Sequence, residues 1–315
     1  MTINFKTVLL ATVAGAALTT GALAQDKGLM TIIVTDPANP YWKTEGDVAQ
    51  ATAEELGYET SVSAHKGDTN TESTLIDTAI TNESVAILLD PANADGSVGA
   101  VQKAVDAGIP VFLVNAEINE SGLAKAQLVS NNAQCAADGA VKWVELVGDS
   151  ATYVEFFGNP ADNNAATRSN GYETVLSQYP DLEKVAEEVA NWDRTQGYNK
   201  MQSILQANPD VQNVISGNDE MALGAIAAMK EAGKLDGAII GGFDGNPDAV
   251  AAVKAGEMAY TVLQPVATFA AEAVRQADAY VQDGTEPETE KQQFNCVMIT
   301  PENVDNMTGP FTYSE

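Results

Sequence analysis

Histidine and cysteine are nearly absent from this chain, and their scarcity excludes several kinds of site. His65 is the only histidine among 315 residues, and the two cysteines, Cys135 and Cys296, are far apart in sequence. No cluster therefore has the ligand spacing of a zinc site, and a catalytic triad would have to use His65. We expect no metal site.

Basic residues are also few: 16 Lys and Arg stand against 44 Asp and Glu, which gives a formal net charge of −28. The carboxylates are spread along the chain instead of forming one acidic block, as is typical of a solvated surface. Such a surface repels phosphate backbones and anionic lipid headgroups, so we expect neither nucleic acid nor membrane binding. A small neutral ligand meets no such repulsion.

Apolar runs long enough to span a bilayer are missing after the first residues. The N-terminus has Lys6 before an apolar run at 8–18, and the small-residue pattern Ala-Leu-Ala ends at Ala24. This pattern predicts a signal peptide at 1–24, a soluble mature chain that begins at Gln25, and export to the periplasm. A disulfide is permitted there, but two buried thiols fit nearly as well, so the pairing of the cysteines stays open.

From Leu29 onward, short apolar runs alternate with helical patterns. This rhythm predicts right-handed βαβ units and an α/β fold with parallel sheets flanked by helices. The strands are too many for one sheet, so we place a division near residue 130, at a strand-like segment over 127–132. A helix at 267–281 and a strand at 294–299 then return to opposite halves, which predicts two lobes joined by three hinge crossings. The predicted N-terminal lobe is 27–130 plus 266–292, and the predicted C-terminal lobe is 131–265 plus 293–315.

Short polar side chains follow two buried runs in the second half of the chain. Asn218 and Asp219 come after the apolar run at 211–215, and Asp244 comes after the run at 238–240. In a doubly wound sheet, side chains that leave the carboxyl ends of parallel strands converge on one crevice. The sequence therefore predicts a ligand site at these turns.

Aromatic residues occupy two further turns. Tyr41 and Trp42 follow Asn39, which can cap the next helix. Two adjacent aromatics cannot both face the core at helical spacing, so at least one should face the crevice. Trp192 follows a strand and precedes the charged Arg194. It either closes the core or, as we favour, covers the apolar face of a ligand whose hydroxyl groups are bound by polar neighbours.

Two loops bear on other ligand classes. The run Gly-Asn-Pro-Ala-Asp-Asn-Asn at 158–164 lacks the Gly-x-Gly-x-x-Gly and Gly-Lys-Ser/Thr patterns of phosphate-binding loops, so we expect no nucleotide cofactor. Its Asn163 or Asn164 either caps the following helix or binds the ligand. The Asp-rich loop at 90–96 lacks the glutamate that completes a calcium site, and it predicts a turn capped by Asp95.

Four runs carry a resemblance to a known family. They are Asn-Pro-Tyr-Trp at 39–42, Ala-Gly-Ile-Pro-Val at 107–111, Gly-Asn-Asp-Glu-Met-Ala-Leu-Gly-Ala at 217–225 and Gly-Phe-Asp-Gly at 242–245. The chain resembles the periplasmic sugar-binding proteins of the ribose and galactose type, which serve ABC importers. The resemblance covers nearly all of the predicted mature chain. It implies two Rossmann-like lobes that enclose a monosaccharide or polyol without a cofactor, and an inner-membrane ABC permease as partner; we expect a monomer.

The same resemblance implies roles for individual residues. Asn39 and Asn218 match amides that bind hydroxyl groups, and Asp244 matches a carboxylate that accepts from two sugar hydroxyls. Gln264 matches a hinge residue that reaches the ligand. The predicted ligand-binding set is Asn39, Tyr41, Trp42, Asn115, Glu117, Asn164, Trp192, Arg194, Asn218, Asp244 and Gln264.

Two departures from the ribose-type pattern bear on the ligand. Ribose-type members carry Asp-Arg after the strand that matches 111–114, where this chain has Asn115, Ala116 and Glu117. They also carry an arginine at the position of Ala166. Two cationic donors are therefore missing, and we expect a pentose other than ribose, a hexose or a linear polyol.

Two other functions are weighed against transport. Presentation of a sugar to a chemoreceptor or a sensor kinase would use the same closed form. An exported carbohydrate hydrolase would need a pair of carboxylates flanking the scissile bond. Asp193, Asp244 and Glu117 show no recognisable spacing for such a pair. Aromatic and arginine neighbours favour holding a ligand over cleaving it, so we expect no enzymatic activity.

Overall fold

The protein is described here from a computed structural model that covers residues 27–314. Two six-stranded sheets lie at its centre, with spatial orders β11-β5-β4-β3-β1-β2 and β12-β10-β9-β8-β6-β7. The strands pair in parallel, except that β12 runs antiparallel to β10. The first sheet contains β1 (Leu29–Val34), β2 (Glu59–Ala64), β3 (Ala86–Leu89), β4 (Val111–Val114), β5 (Ala126–Ser130) and β11 (Lys291–Phe294), and the second contains β6 (Ser150–Phe157), β7 (Asp181–Val189), β8 (Asn213–Ser216), β9 (Ile239–Asp244), β10 (Tyr260–Leu263) and β12 (Val297–Ile299).

Helices flank both sheets, so the predicted α/β class is confirmed. A short 3₁₀ helix (Val304–Asn306) and a hairpin of β13 (Met307–Gly309) and β14 (Thr312–Tyr313) follow β12. The first sheet is flanked by α1 (Pro40–Glu55), α2 (Thr69–Thr81) and α3 (Val98–Asp106), the second by α4 (Asn132–Val147), α5 (Asn163–Leu176), α6 (Arg194–Ala207), α7 (Asp219–Glu231) and α8 (Pro247–Lys254), and α9 (Val266–Asp283) returns to the first.

The apolar character of the central strands explains this layering. Ile32, Leu88 and Phe112 lie on neighbouring strands of the first sheet and are almost completely buried. A parallel sheet covered on both faces requires such continuous apolar runs. The edge strands β2 and β7 are exposed at several positions, most of which carry polar residues. The most apolar runs of the first sheet thus lie at its centre.

The chain passes between the sheets three times: after β5, after β10, and between β11 and β12. The single strand predicted at 294–299 is wrong, because Asn295 and Cys296 separate two short strands that join different sheets. We propose that the two lobes divide at the predicted boundaries, since β11 pairs with β5 whereas β12 pairs with β10. We call them the first lobe and the second lobe.

Two local predictions are corrected. The turn before α3 is organised by Asn93, whose Oδ1 accepts from the backbone N–H groups of Asp95 and Gly96, and the Asp95 side chain instead accepts from Asn119. The helix α8 was not predicted, although Pro247 occupies its first turn. Asn93 organises the turn before α3 because its short amide side chain reaches two successive backbone N–H groups.

Cys135 on α4 and Cys296 between β11 and β12 form a disulfide, across a sequence separation of 161 residues. The bridge ties the third crossing to the first helix of the second lobe. No helix within residues 27–314 combines the length and the apolar character needed to cross a membrane. The predicted signal peptide and its cleavage site lie outside the described residues.

We expect Cys135→Ser to lower the free energy of unfolding by about 2–4 kcal/mol, because the bridge restricts the unfolded chain over a long loop. Thermal unfolding with and without dithiothreitol provides the measurement. The reductant should lower the melting temperature of the wild type and leave that of Cys135→Ser unchanged. Two titratable thiols in the unreduced, denatured wild type would contradict the bridge.

Candidate functional site

A small cavity of about 20 Å³ lies between the lobes, at the carboxyl ends of the strands of both sheets. A wider cleft of about 520 Å³, open to solvent, shares Asn39, Trp42 and Trp192 with it, so these side chains stand between the cavity and the outside. We take the inner cavity as the site because buried polar groups converge there. Its lining consists of Asn39, Tyr41, Trp42, Asn115, Asp162, Arg168, Trp192, Asn218, Asp244 and Gln264.

The first lobe contributes a wall of linked side chains. Asn39 caps α1: its Oδ1 accepts from the Tyr41 backbone N–H at 2.9 Å, which leaves its Nδ2 as a donor. The Tyr41 hydroxyl donates to Asn115 Oδ1 at 3.0 Å, and Asn115 Nδ2 donates to Asp90 Oδ2 at 3.0 Å. The orientation of the Asn115 amide is therefore set by its neighbours, and Asp90, predicted only as part of a turn, supports the site from behind.

The second lobe contributes a buried charge pair. Asp244 Oδ1 accepts from Gln264 Nε2 at 2.7 Å and lies 3.5 Å from Arg168 Nη1. Arg168 also donates to Asn132 Oδ1 and to the Gly217 carbonyl oxygen, at 2.7 and 2.9 Å. Arg168 was not predicted as a site residue. It lies inside α5, where its three-residue spacing from Ala165 and from Gly171, which are also buried, marks an inward face.

Aromatic rings cover the guanidinium group and the entrance. The centre of the Arg168 guanidinium lies 3.9 Å from the ring centroid of Phe243 and 5.2 Å from that of Trp192. The Trp192 ring packs on the Cα of Gly158, where an added Cβ would lie 2.0 Å from it. Gly158 thus has a steric role in the site: any side chain there would displace Trp192.

Two polar atoms that face this region lack partners in the protein. Trp42 Nε1 and Gln264 Oε1 are buried, and neither forms a hydrogen bond within residues 27–314. Buried polar atoms are normally paired. One donor from the first lobe and one acceptor from the crossing after β10 are therefore free to bind the same ligand.

The lining of the cavity has more carboxylate groups, which accept hydrogen bonds, than cationic side chains. Burial raises the pKa of Asp244 well above its usual range, although the Arg168 charge opposes the shift. Burial also raises the pKa of Asp90 well above its usual range, with the Asp162 charge adding to it. Arg168 is the only cationic side chain in the cavity lining within the described chain. This arrangement suits a neutral ligand whose hydroxyl groups donate hydrogen bonds, and it disfavours an anion.

Three residues of the predicted set lie outside the lining of the inner cavity. Glu117 is paired with Lys291 at 2.8 Å. Arg194 forms a bidentate pair with Glu220 and lines the outer cleft. The third is Asn164, which donates to the Asn115 carbonyl oxygen at 3.0 Å and accepts from Asn132 Nδ2 at 2.8 Å. Their role in binding stays a prediction. The other eight residues of the predicted set line the cavity.

The buried carboxyl groups should make the unliganded protein less stable as the pH rises. Burial raises the pKa of Asp244, Asp90 and Glu45, so the folded state binds more protons than the unfolded state above about pH 4. This stabilisation is lost as the pH rises through the folded pKa values. The pKa of His65 is lowered by burial, so its contribution runs the other way, below about pH 6.5. The pKa of Asp219 is raised to about 7, also by burial, and that of Asp162 is raised too, so the carboxyl groups outweigh His65 and predict a higher melting temperature at pH 5.5 than at pH 8.

The measurement is thermal unfolding between pH 5.5 and 8 in high salt, which screens repulsion between surface charges. Asp90→Asn should flatten the pH dependence, whereas Asp181→Asn, at an exposed position on β7, should not. Equal slopes in the wild type and Asp90→Asn would refute the assignment.

Comparisons with known proteins identify the family. The model of the periplasmic binding protein domain matches residues 30–286. Two relatives are D-apiose import binding proteins: that of Actinobacillus succinogenes is 46% identical, over 90% of this chain and 91% of its own, and that of Paraburkholderia graminis is 45% identical, over 95% and 96%. In structure, the chain resembles an ABC transporter solute-binding protein of Actinobacillus succinogenes with bound D-allose, at a TM-score of 0.82 and 26% identity, over 89% of this chain and 99% of the other. The chain therefore belongs to the periplasmic binding protein family.

Proposed function

We propose that this protein is the periplasmic binding component of an ABC importer and that its ligand is D-apiose. The relatives named for import of this sugar match nearly the whole chain. The observation that carries the proposal is the cavity in which Asp244 and Arg168 lie 3.5 Å apart, with a tryptophan from each lobe in its lining. A hydroxyl-rich neutral ring matches that combination of acceptors, one cation and aromatic walls.

The residues that line the cavity supply both kinds of contact that a small sugar needs, polar groups for its hydroxyls and aromatic rings for its C–H faces. Asp244 accepts from hydroxyl groups, Arg168 and Asn39 donate to them, and Trp42 and Trp192 cover the C–H faces.

Contacts between the lobes support capture by closure. Asn163 Nδ2 donates to Asn119 Oδ1 at 2.8 Å, and the Ala94 N–H donates to the Ala161 carbonyl oxygen at 2.9 Å. These bonds join loops of the first lobe to loops of the second and exist only when the lobes are together. A ligand that contacts both lobes favours this closed form through its additional affinity for it.

We propose that the ligand is held and not transformed. Asp162 caps α5 by accepting from the Asn164 N–H at 2.8 Å, and Asp90 accepts from Asn115. Both carboxylates therefore support the walls of the cavity, and we assign neither to a glycosidase pair with Asp244. Family membership is that of solute-binding proteins. Chemoreceptor contact and the monomeric state stay predictions.

Isothermal titration calorimetry with a panel of sugars tests the ligand. We expect D-apiose to bind with a dissociation constant of about 1 µM or lower, a binding free energy of about −8 kcal/mol or stronger. D-Ribose, D-allose, xylitol and myo-inositol should bind at least about tenfold more weakly, because the site rejects a poorly fitting hydroxyl pattern by leaving buried polar groups unpaired. Preferential binding of ribose would defeat the proposal.

Substitutions test the location of the site. Asp244→Ala and Trp192→Ala should each weaken binding by about a hundredfold, because a charged hydrogen bond contributes about 1.5–3 kcal/mol and Asp244 can accept more than one. Glu117→Gln is the matched control, since its carboxylate is paired with Lys291 outside the cavity. It should bind within about twofold of the wild type. A loss in Glu117→Gln as large as that in Asp244→Ala would show that the cavity is misidentified.

A further inference from the structure

The turn that carries Asp244 has an unfavourable backbone conformation. Asp244 has a φ of +130°, and Gly245 after it has a φ of +80°. Residues other than glycine rarely adopt positive φ, at a cost of about 1–3 kcal/mol, and such residues persist only where their surroundings impose the conformation. Something beyond the strand itself must therefore hold Asp244 with its carboxylate in the cavity.

Asp219 supplies the contacts that impose this conformation. Its Oδ2 accepts from the Asn246 backbone N–H at 2.7 Å, and its Oδ1 accepts from the Thr261 hydroxyl at 2.7 Å. The Thr261 oxygen in turn accepts from the Gly245 N–H at 3.1 Å. The two N–H groups that follow Asp244 are thus fixed by one carboxylate, directly and through one hydroxyl.

The approach of this carboxylate depends on a missing side chain. A Cβ added to Gly242 on β9 would lie 2.2 Å from Asp219 Oδ1. Asp219 and Thr261 are fully buried and do not line the cavity. Asp219 begins α7 directly after Asn218, which does line the cavity. One side chain therefore connects two cavity residues without reaching the cavity itself.

We infer that Asp219, acting through Thr261 and the backbone of the 244–246 turn, is a positioning residue for ligand binding. It holds the Asp244 carboxylate in register with Asn218 and Arg168. The inference rests on the proposed function of the cavity. It assigns to the motif at 217–225 a purpose beyond helix capping, because Asp219 occupies the first turn of α7 yet directs its oxygens to another strand and turn.

A double-mutant cycle with Asp244 tests whether Asp219 acts through it. Asp219→Asn keeps the shape but replaces one acceptor oxygen by a donor. It should raise the dissociation constant for D-apiose at least about tenfold. Asp244→Asn should raise the dissociation constant more. The double variant should match Asp244→Asn within about twofold, because Asp219 cannot position a carboxylate that has already been removed. If the two single-variant effects multiply in the double variant, the inference is overturned. It is also overturned if Asp219→Asn binds with wild-type affinity.

The matched pair at Thr261 separates positioning from general stability. Thr261→Val removes the hydroxyl at nearly constant volume and should weaken binding, whereas Thr261→Ser should restore the affinity lost in Thr261→Val. Melting temperatures of the unliganded variants are measured alongside. A lower melting temperature with an unchanged dissociation constant in Thr261→Val would make the network structural only and would also overturn the inference.

Amide hydrogen exchange of the unliganded protein tests the same network without any sugar. Exchange at Gly245 and Asn246 should be at least about tenfold faster in Thr261→Val than in Thr261→Ser, because their N–H groups lose protection when the network opens. Failure of the wild type to bind D-apiose would reject the proposed ligand and leave this result standing. Equal exchange in the two variants would reject the positioning role whatever the ligand is.

Discussion

The buried carboxylate of Asp244 is the group on which the rest of the site depends. Its charge is removed from water, and in the protein it meets the Gln264 amide at 2.7 Å and the Arg168 guanidinium at 3.5 Å. An ionised carboxylate in such a place is tolerated only when donors surround it. Burial raises the pKa of Asp244, and the Arg168 charge and the Gln264 hydrogen bond oppose that shift. Ligand hydroxyl groups are the donors that would complete the set.

The fold brings these groups together from distant parts of the chain. Parallel strands of two separate sheets end at the same crevice, so Asn39 and Tyr41 of the first lobe face Trp192 and Asp244 of the second. Three crossings restrict the lobes to a limited relative motion. The disulfide adds a covalent restraint beside the third crossing. The cavity is complete only when both lobes contribute to its lining.

The charge balance of the cavity explains what kind of ligand it selects. Asp244 and Asp162 line the cavity with only Arg168 to oppose them, and Asp90 stands behind. An anionic ligand would be repelled, whereas a sugar offers hydroxyl hydrogens to the carboxylates and oxygens to the arginine. The exterior of the molecule is also negatively charged, but for a different reason. Its carboxylates are solvated, and such charge favours solubility.

Much of the fold and several residues of the site could be predicted from local sequence patterns. Asn39, Asn218 and Asp244 follow apolar runs, and the period of those runs is a property of neighbouring residues in sequence. Which sheet each of the last strands joins could not be read in this way, because only two residues separate the strand at 291–294 from the strand at 297–299, and their partners β5 and β10 lie far away in the sequence.

The sequence alone determined the α/β alternation and the polar turns, because these depend on residue type and spacing. Only the tertiary structure decided which polar side chains line the cavity. Glu117 is occupied by Lys291 and Arg194 by Glu220, whereas Arg168, inside a helix, reaches the cavity. The reason is physical: a hydrogen bond or an ion pair forms wherever folding brings its two partners within about 3 Å, however far apart they are along the chain.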